Sequence, residues 1–323
     1  MAWMVEEFLA SVMTALNGQG YRIESLRDPR PLGTEGGAWR VSLRSPDEAM
    51  PGSVVLKQVD AQQPWRWDDW ICQYFLTDLA GTKGLGPEFF AADSDVGFYM
   101  LEDLGIGEDL GPVLLTTDSR GRLAAGLLAC SLASLHAGTW GRERPFNLLR
   151  QRVAGEGAQR GVELGEWRVR IDKALSDLGQ PLAEVAGALD VIQMELADPG
   201  EFLTLTHGDW QARSLWYGDA GPRFLDFRNG AYRHCLLDLA AWEARCHANQ
   251  DAAEVLWREY REEWARLGAD RGERFLSARA CAKAFMALEH LNHGEHQPWM
   301  QDFLKSAADE PGLSGLAKVA ERL

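Results

Sequence analysis

At 323 residues the chain is long enough to build two hydrophobic cores, and its 46% hydrophobic and 25% charged residues are the proportions of a globular protein, not of a fibrous or disordered one. Its 48 acidic against 33 basic side chains leave a net charge of −15, which argues against a nucleic-acid partner, because phosphate backbones are bound by clustered Lys and Arg. The five cysteines, Cys72, Cys130, Cys235, Cys246 and Cys281, have no C-x-x-C spacing, so neither a disulfide framework nor a zinc site is expected, and a reducing cytoplasm is the expected location.

The opening segment, MAWMVEEFLASVMTAL, repeats Trp3, Met4, Phe8, Leu9, Val12, Met13 and Leu16 at helical spacing. Its two acidic residues and lack of a basic cluster set it apart from a signal peptide, so an amphipathic helix packed on the following structure is expected. No apolar run approaches the roughly 20 residues of a membrane span, and no membrane partner is expected. Leu32 to Leu43 predicts a strand, a turn containing Gly33, Gly36 and Gly37, and a returning strand; Ser53 to Val59 predicts a β-branched strand that carries Lys57. Trp65 to Ala80 has helical spacing, and Pro87 to Ala91 and Gly97 to Leu101 predict two further strands. Together these make a small antiparallel sheet with one intercalated helix.

Past Leu104 to Gly107 the pattern turns mostly helical: Leu123 to Ala137, at least one helix within Trp167 to Leu196, then Leu237 to Asn249, Ala252 to Leu267 and Phe275 to Leu291. The predicted class is α+β. Residues 1–104 form an N-terminal lobe with a hinge at about 101–106, and residues 105–323 form a helical lobe.

One stretch carries chemistry. In LTHGDWQARSLWYGDAGPRFLDFRNGAYRHCLLDL, Leu205 to Leu239, a polar loop holding His207, Gly208 and Asp209 leads into a hairpin over Leu215 to Phe227 that ends on Asp226. Phosphoryl transfer needs one carboxylate to orient the attacking hydroxyl and accept its proton, and another to hold magnesium against the phosphates.

His207-Gly208-Asp209, Asp226-Phe227 and Asp238-Leu239-Ala240 resemble the H-G-D-x-x-x-x-N, D-[FLW] and D-[LI]-A motifs of the aminoglycoside phosphotransferase and choline kinase group, small-molecule kinases with the protein-kinase-like fold. The chain departs from the pattern at Ser214, which stands where the group has Asn. The resemblance implies a two-lobed fold, ATP and Mg²⁺ as cofactors, Asp209 as catalytic base, Asp226 and Ser214 as metal ligands, and His207 and Asp238 as supports of the loop. It implies that Lys57 contacts phosphate with an acidic partner on the next helix, Asp69 or Asp68, of which Asp69 is better placed. Gly33, Gly36 and Gly37 would cover the phosphates. Within Met100 to Gly105, the Leu101 carbonyl and the Asp103 N–H would pair with adenine.

Arg213 and Arg228 read as surface or packing arginines. His290, His293 and His296 lack the companions of a metal site. Trp210, Glu289, Glu295 and Trp299 are the candidate acceptor residues, since an aromatic face beside a carboxylate suits an ammonium group. The expected function is transfer of phosphate from ATP to a hydroxyl of a small molecule such as an amino sugar, aminoglycoside or amino alcohol. A nucleotide-binding pseudokinase is the competing expectation.

Overall fold

The computed structural model describes residues 2–33, 36–59, 65–154, 164–209, 215–268, 272 and 274–323. Helix α1 (Ala2–Gly18) buries Leu9, Val12 and Leu16 on one face. That stripe joins the inner side chains of a five-stranded sheet, including Val41, Val54, Leu56 and Phe98. The strands are β1 (Ser25–Pro31), β2 (Ala38–Arg44), β3 (Ser53–Gln58), β4 (Phe89–Asp93) and β5 (Phe98–Glu102). They lie in the order β1-β2-β3-β5-β4 with every neighbouring pair antiparallel. Helix α2 (Trp65–Thr77) falls between β3 and β4 in the chain, as its periodicity predicts.

The strand expected to begin at Leu32 lies upstream instead. Leu32, Gly33, Gly36 and Gly37 lie outside any strand, and the partner of β2 is SLRDPRP. That segment has no apolar alternation and carries Pro29 and Pro31, which only an edge strand tolerates, because its outer N–H groups need no partner. The register breaks between Arg27 and Arg30, where Asp28 takes φ 54°. A bulged, polar edge leaves no period-2 signal to read.

Beyond the sheet come β6 (Glu108–Asp109), α3 (Leu110–Leu114), α4 (Ser119–Thr139), α5 (Glu143–Ala154), α6 (Leu164–Asp177) and α7 (Leu182–Ala197). Then follow β7 (Leu203–Thr206), β8 (Leu215–Gly218), β9 (Gly221–Phe224), β10 (Ala231–His234), α8 (Leu236–Arg245), α9 (Gln250–Arg266), α10 (Arg274–Asn292), α11 (Pro298–Ala308) and α12 (Leu316–Ala320). Helix α4 starts where the Asp118 carboxylate accepts the N–H groups of Arg120 and Gly121. It runs through the large core on Ala124, Leu128, Leu132 and Leu135, each fully buried. Burying a leucine of this kind stabilises by about 1.5–3 kcal/mol. No single described helix is long and apolar enough to cross a membrane.

Two small sheets frame the polar loops of this helical part. β7 pairs antiparallel with β10, and β8 pairs with β6 on one side and β9 on the other. The loop after β7 and the loop between β9 and β10 are therefore held side by side at one end of the helices. Helix α2 enters the same core: Ile71, Cys72, Phe75 and Leu76 belong to it, and Phe75 stands against Phe146 of α5.

Candidate active site

The loop after β7 is anchored from beneath. Asp238, in the first turn of α8, is 2% exposed, and its carboxylate accepts the N–H of His207 at 2.7 Å and that of Gly208 at 3.0 Å. His136 on α4 approaches the same carboxylate at 3.2 Å through Nε2, and its Nδ1 meets the Tyr260 hydroxyl of α9 at 2.9 Å. Burial would raise the Asp238 carboxyl, but its contacts with His136, His207 and the Gly208 N–H outweigh that and hold it below the ordinary carboxylate value. His207 donates from Nε2 to the Leu225 carbonyl at 2.7 Å and stands edge-on to Phe227, which ties the loop to the hairpin. Gly208 is obligatory: it has φ 74°, and a Cβ there would lie 2.3 Å from the Asn229 carbonyl oxygen. These contacts deliver Asp209, which is half-buried. Trp210, Arg213 and Ser214 lie outside the described residues.

Asp69 is fully buried and pairs with the Lys57 ammonium reaching down from β3. Its two oxygens also accept the Tyr99 hydroxyl at 2.5 Å and the Phe227 N–H at 2.9 Å. Desolvation alone would push this carboxyl up; the Lys57 charge and the three hydrogen bonds overcome it and hold it below the ordinary value. Asp68, the alternative partner, turns away to Arg150 at 3.0 Å. The Phe227 contact joins α2 to the Asp-Phe motif, so the lysine pair and the hairpin share one carboxylate.

Between sheet and hairpin lies a cleft of about 480 Å³, the size of a small-molecule site. Lys57, Arg66, Asp226 and Arg228 line its polar side, and Ala38, Val55, Leu101 and Trp216 its apolar side. Gly33, Gly36 and Gly37 all have positive φ, which explains the glycines of this turn; Arg66 donates to the Gly36 carbonyl at 2.7 Å. Leu101 and Asp103 face the cleft, while the Glu102 N–H bonds outward to the Glu88 carbonyl at 2.8 Å. The Asp103 carboxylate is tied to Ser53, Arg40 and the Gly105 N–H.

Asp226 takes the left-handed φ of 59°, uncommon for a residue with a side chain. Its Oδ2 receives the Arg228 guanidinium, while its Oδ1 is buried with no hydrogen-bond partner among the described residues. An orphaned carboxylate oxygen beside a cleft suits a magnesium ion, which binds one or two carboxylates and completes its shell with water and phosphate. Among the described residues no cluster of three or more His, Cys, Asp or Glu forms a dedicated metal cage.

Trp216 escaped the sequence reading. Its indole lies against Gly107 and Gly218, where a Cβ would come within 2.0 Å of ring atoms, so two glycines make room for one tryptophan at the cleft. The only local signal was its place in the short apolar run Leu215 to Tyr217 before a turn. His136, Tyr99 and Arg150 were missed for another reason: each sits in a regular element and meets its partner through tertiary packing.

Of the acceptor candidates, Trp210 lies outside the described residues, and Trp299 and Glu295 both meet His290. Trp299 is buried, edge-on to His290 and Phe303, which makes it a core residue and not an exposed aromatic face. Glu295 receives His290 at 2.7 Å. Glu289, also buried, is approached by His293 at 3.4 Å and Arg170 at 3.7 Å on Oε1, while Oε2 has no hydrogen-bond partner among the described residues.

No protein-family model and no curated protein matches the chain. Solved structures do match. The GDP complex of wild-type aminoglycoside 2'-phosphotransferase-IIIa is similar over 96% of this chain and 99% of its own, at 15% identity and a TM-score of 0.51. An aminoglycoside phosphotransferase from Alicyclobacillus acidocaldarius is similar over 94% of this chain and 96% of its own, at 12% identity and a TM-score of 0.51. The streptomycin–ATP ternary complex of APH(2")-IIa covers 95% of this chain and 98% of its own, at 11% identity and a TM-score of 0.50. At such identities the likeness concerns architecture alone. With its antiparallel sheet before a helical body and a loop anchored beside a hairpin, this chain has the kinase-like fold of the aminoglycoside phosphotransferases.

Proposed function

We propose that this protein transfers the γ-phosphoryl group of ATP to a hydroxyl of a small molecule. The observation that carries the reading is the convergence on one cleft of a lysine held by a buried acid, Lys57 and Asp69, and of Asp226 with an unpartnered buried oxygen. Asp209, on a loop fixed at two backbone amides by Asp238, orients the acceptor hydroxyl and takes its proton. Lys57 steadies the phosphates, the turn at Gly33, Gly36 and Gly37 lies over them, and Leu101 and Asp103 offer backbone to the base. Asp226, with Ser214 as its partner, would hold Mg²⁺, which when bound would supply charge neutralisation at the phosphates. Residues 1–104 and 105–323 act as two lobes that meet at this cleft.

The acceptor carries a positive charge in this reading. The net charge of −15 attracts cations, and the unpartnered oxygen of Glu289 is the most suitable anion among the acceptor candidates. One neighbour of the same fold holds streptomycin with ATP. The test is an ADP-release assay on matched pairs, an amino sugar against its neutral parent and an amino alcohol against its neutral analogue, with and without Mg²⁺. ADP should form only with both metal and acceptor, and faster with the amine-bearing member. Equal use of the neutral member removes the charge requirement. Mg²⁺-independent ATP binding with no turnover on any acceptor would favour a pseudokinase.

A further inference from the structure

Helix α2 belongs to two bodies of packing at once. On one side Trp67 and Trp70 lie against the sheet, with Trp70 stacked on Tyr99 at 6.2 Å between ring centroids. On the other, Ile71, Cys72, Phe75 and Leu76 are part of the large helical core, with Phe75 edge-on to Phe146 of α5 at 5.2 Å. The core formed by α1 and the strands includes none of the described side chains of α2. Lys57 stands on the sheet, while Asp69 is carried by a helix that packs on both bodies, so the position of α2 on the helical body bears on whether they meet.

Asp68, one residue before Asp69, is 4% exposed and accepts the Arg150 guanidinium of α5 at 3.0 Å; Arg150 is 7% exposed. Neither is among the described residues that line the cleft. An ion pair this deeply buried is weak evidence for stability, since apolar residues of similar volume often serve as well. What a guanidinium–carboxylate contact does supply is a directed separation between two helices. We propose that the Asp68–Arg150 pair is a positioning device that fixes α2 on α5 at the place where Asp69 meets Lys57. It acts on the phosphate-binding lysine without touching nucleotide. The half-buried Arg233, its guanidinium lowered by desolvation to about 10, also lies within electrostatic range of Asp68 and Asp238. Asp68 therefore keeps a nearby cation when Arg150 is neutralised, which favours survival of the fold in the variant.

The inference rests on the reading of the cleft as an ATP site, so its test has one arm with nucleotide and one without. In the first, Mg·ATP is titrated calorimetrically into wild type, Arg150→Met, Arg150→Lys and Asp68→Asn, well below the lowest Tm of the set. Arg150→Met and Asp68→Asn should raise Kd about tenfold, a coupling of the size seen between contacting groups, and Arg150→Lys should recover part of the loss. In the Asp69→Asn background, Arg150→Met should have no further effect. In the second arm, the nucleotide-free proteins are treated with an amine-acylating reagent and labelling of Lys57, 13% exposed in the wild type, is followed by mass spectrometry. Labelling should quicken in Arg150→Met toward the rate of Asp69→Asn. A lowered Tm with unchanged Kd and unchanged Lys57 labelling overturns the inference, as does additivity with Asp69→Asn. Should Arg150→Met fail to fold, Asp68→Asn and Arg150→Lys decide the same two readouts. Absent ATP binding in the wild type with a Lys57 response intact would count against the ATP reading and leave the positioning role standing.

Discussion

Asp209 and Gly208 show how much of a site rests on single atoms. Asp209→Asn keeps the shape of the loop but removes the carboxylate proposed as proton acceptor, so turnover should fall by about 10²- to 10⁴-fold while the Kd for ATP stays near wild type. Stopped assays with an accepted alcohol, set beside calorimetric titration of nucleotide, check this; near-normal turnover would remove Asp209 from its role. Gly208→Ala should act through the backbone. The left-handed φ of 74° costs an L-residue about 1–2 kcal/mol by itself, and the Cβ would also meet the Asn229 carbonyl at 2.3 Å. Its urea midpoint should drop by more than the backbone term alone, and a midpoint equal to wild type would show that the loop relocates without strain.

At the scale of elements, the β8–β9 hairpin presents Trp216 to the cleft and the β6 edge strand supports it through the Trp216–Asp109 pairing. Gly107 and Gly218 bracket the indole so closely that Gly218→Ala must displace the ring, at about 1–3 kcal/mol if the strain resembles overpacking of a core. The displaced ring would intrude on the cleft. We expect a lower Tm together with weaker ATP binding, whereas a surface glycine with no neighbour within 4 Å, such as Gly187, should tolerate alanine. If Gly218→Ala binds ATP as wild type does, Trp216 does not border the nucleotide. The α6–α7 break is simpler: Gly179 at φ 70° ends one helix and Pro181 caps the start of the next.

The whole molecule carries its acid sensitivity in buried groups of known sign. His234, buried beside Glu195 at 3.2 Å, is lowered from 6.5 chiefly by desolvation. Its contribution is complete above 6.5 and is lost as pH falls through its folded value, because the unfolded chain takes up the proton first. Asp69 and Asp238 are held below 3.8, so their contribution is complete above 3.8 and is lost as pH falls from there through their folded values. Denaturant midpoints should therefore decline modestly just below 6.5 and steeply below 3.8. His234→Gln should flatten the first decline and leave the second. A first decline that persists in that variant would assign it to another group.

Several features of this protein follow from sequence alone: the order and type of most elements, the α+β class, and the loop–hairpin stretch with its H-G-D and D-F motifs. Those are carried by short-range signals, namely apolar period, turn residues and motif spacing, which act within a few residues of each other. The sequence also brought Asp68 and Asp69 forward together, as neighbours about 100° apart on one helix. Only packing separated them, sending Asp69 to Lys57 and Asp68 to Arg150, because the choice depends on which body of structure each side of α2 faces. The same holds for Trp299, whose aromatic character was plain while its burial was not, and for His136, brought to Asp238 with Tyr260 behind it from helices far apart in the chain. Local periodicity sets which face of an element is apolar; which polar side chains meet across elements is decided when those faces are buried against one another.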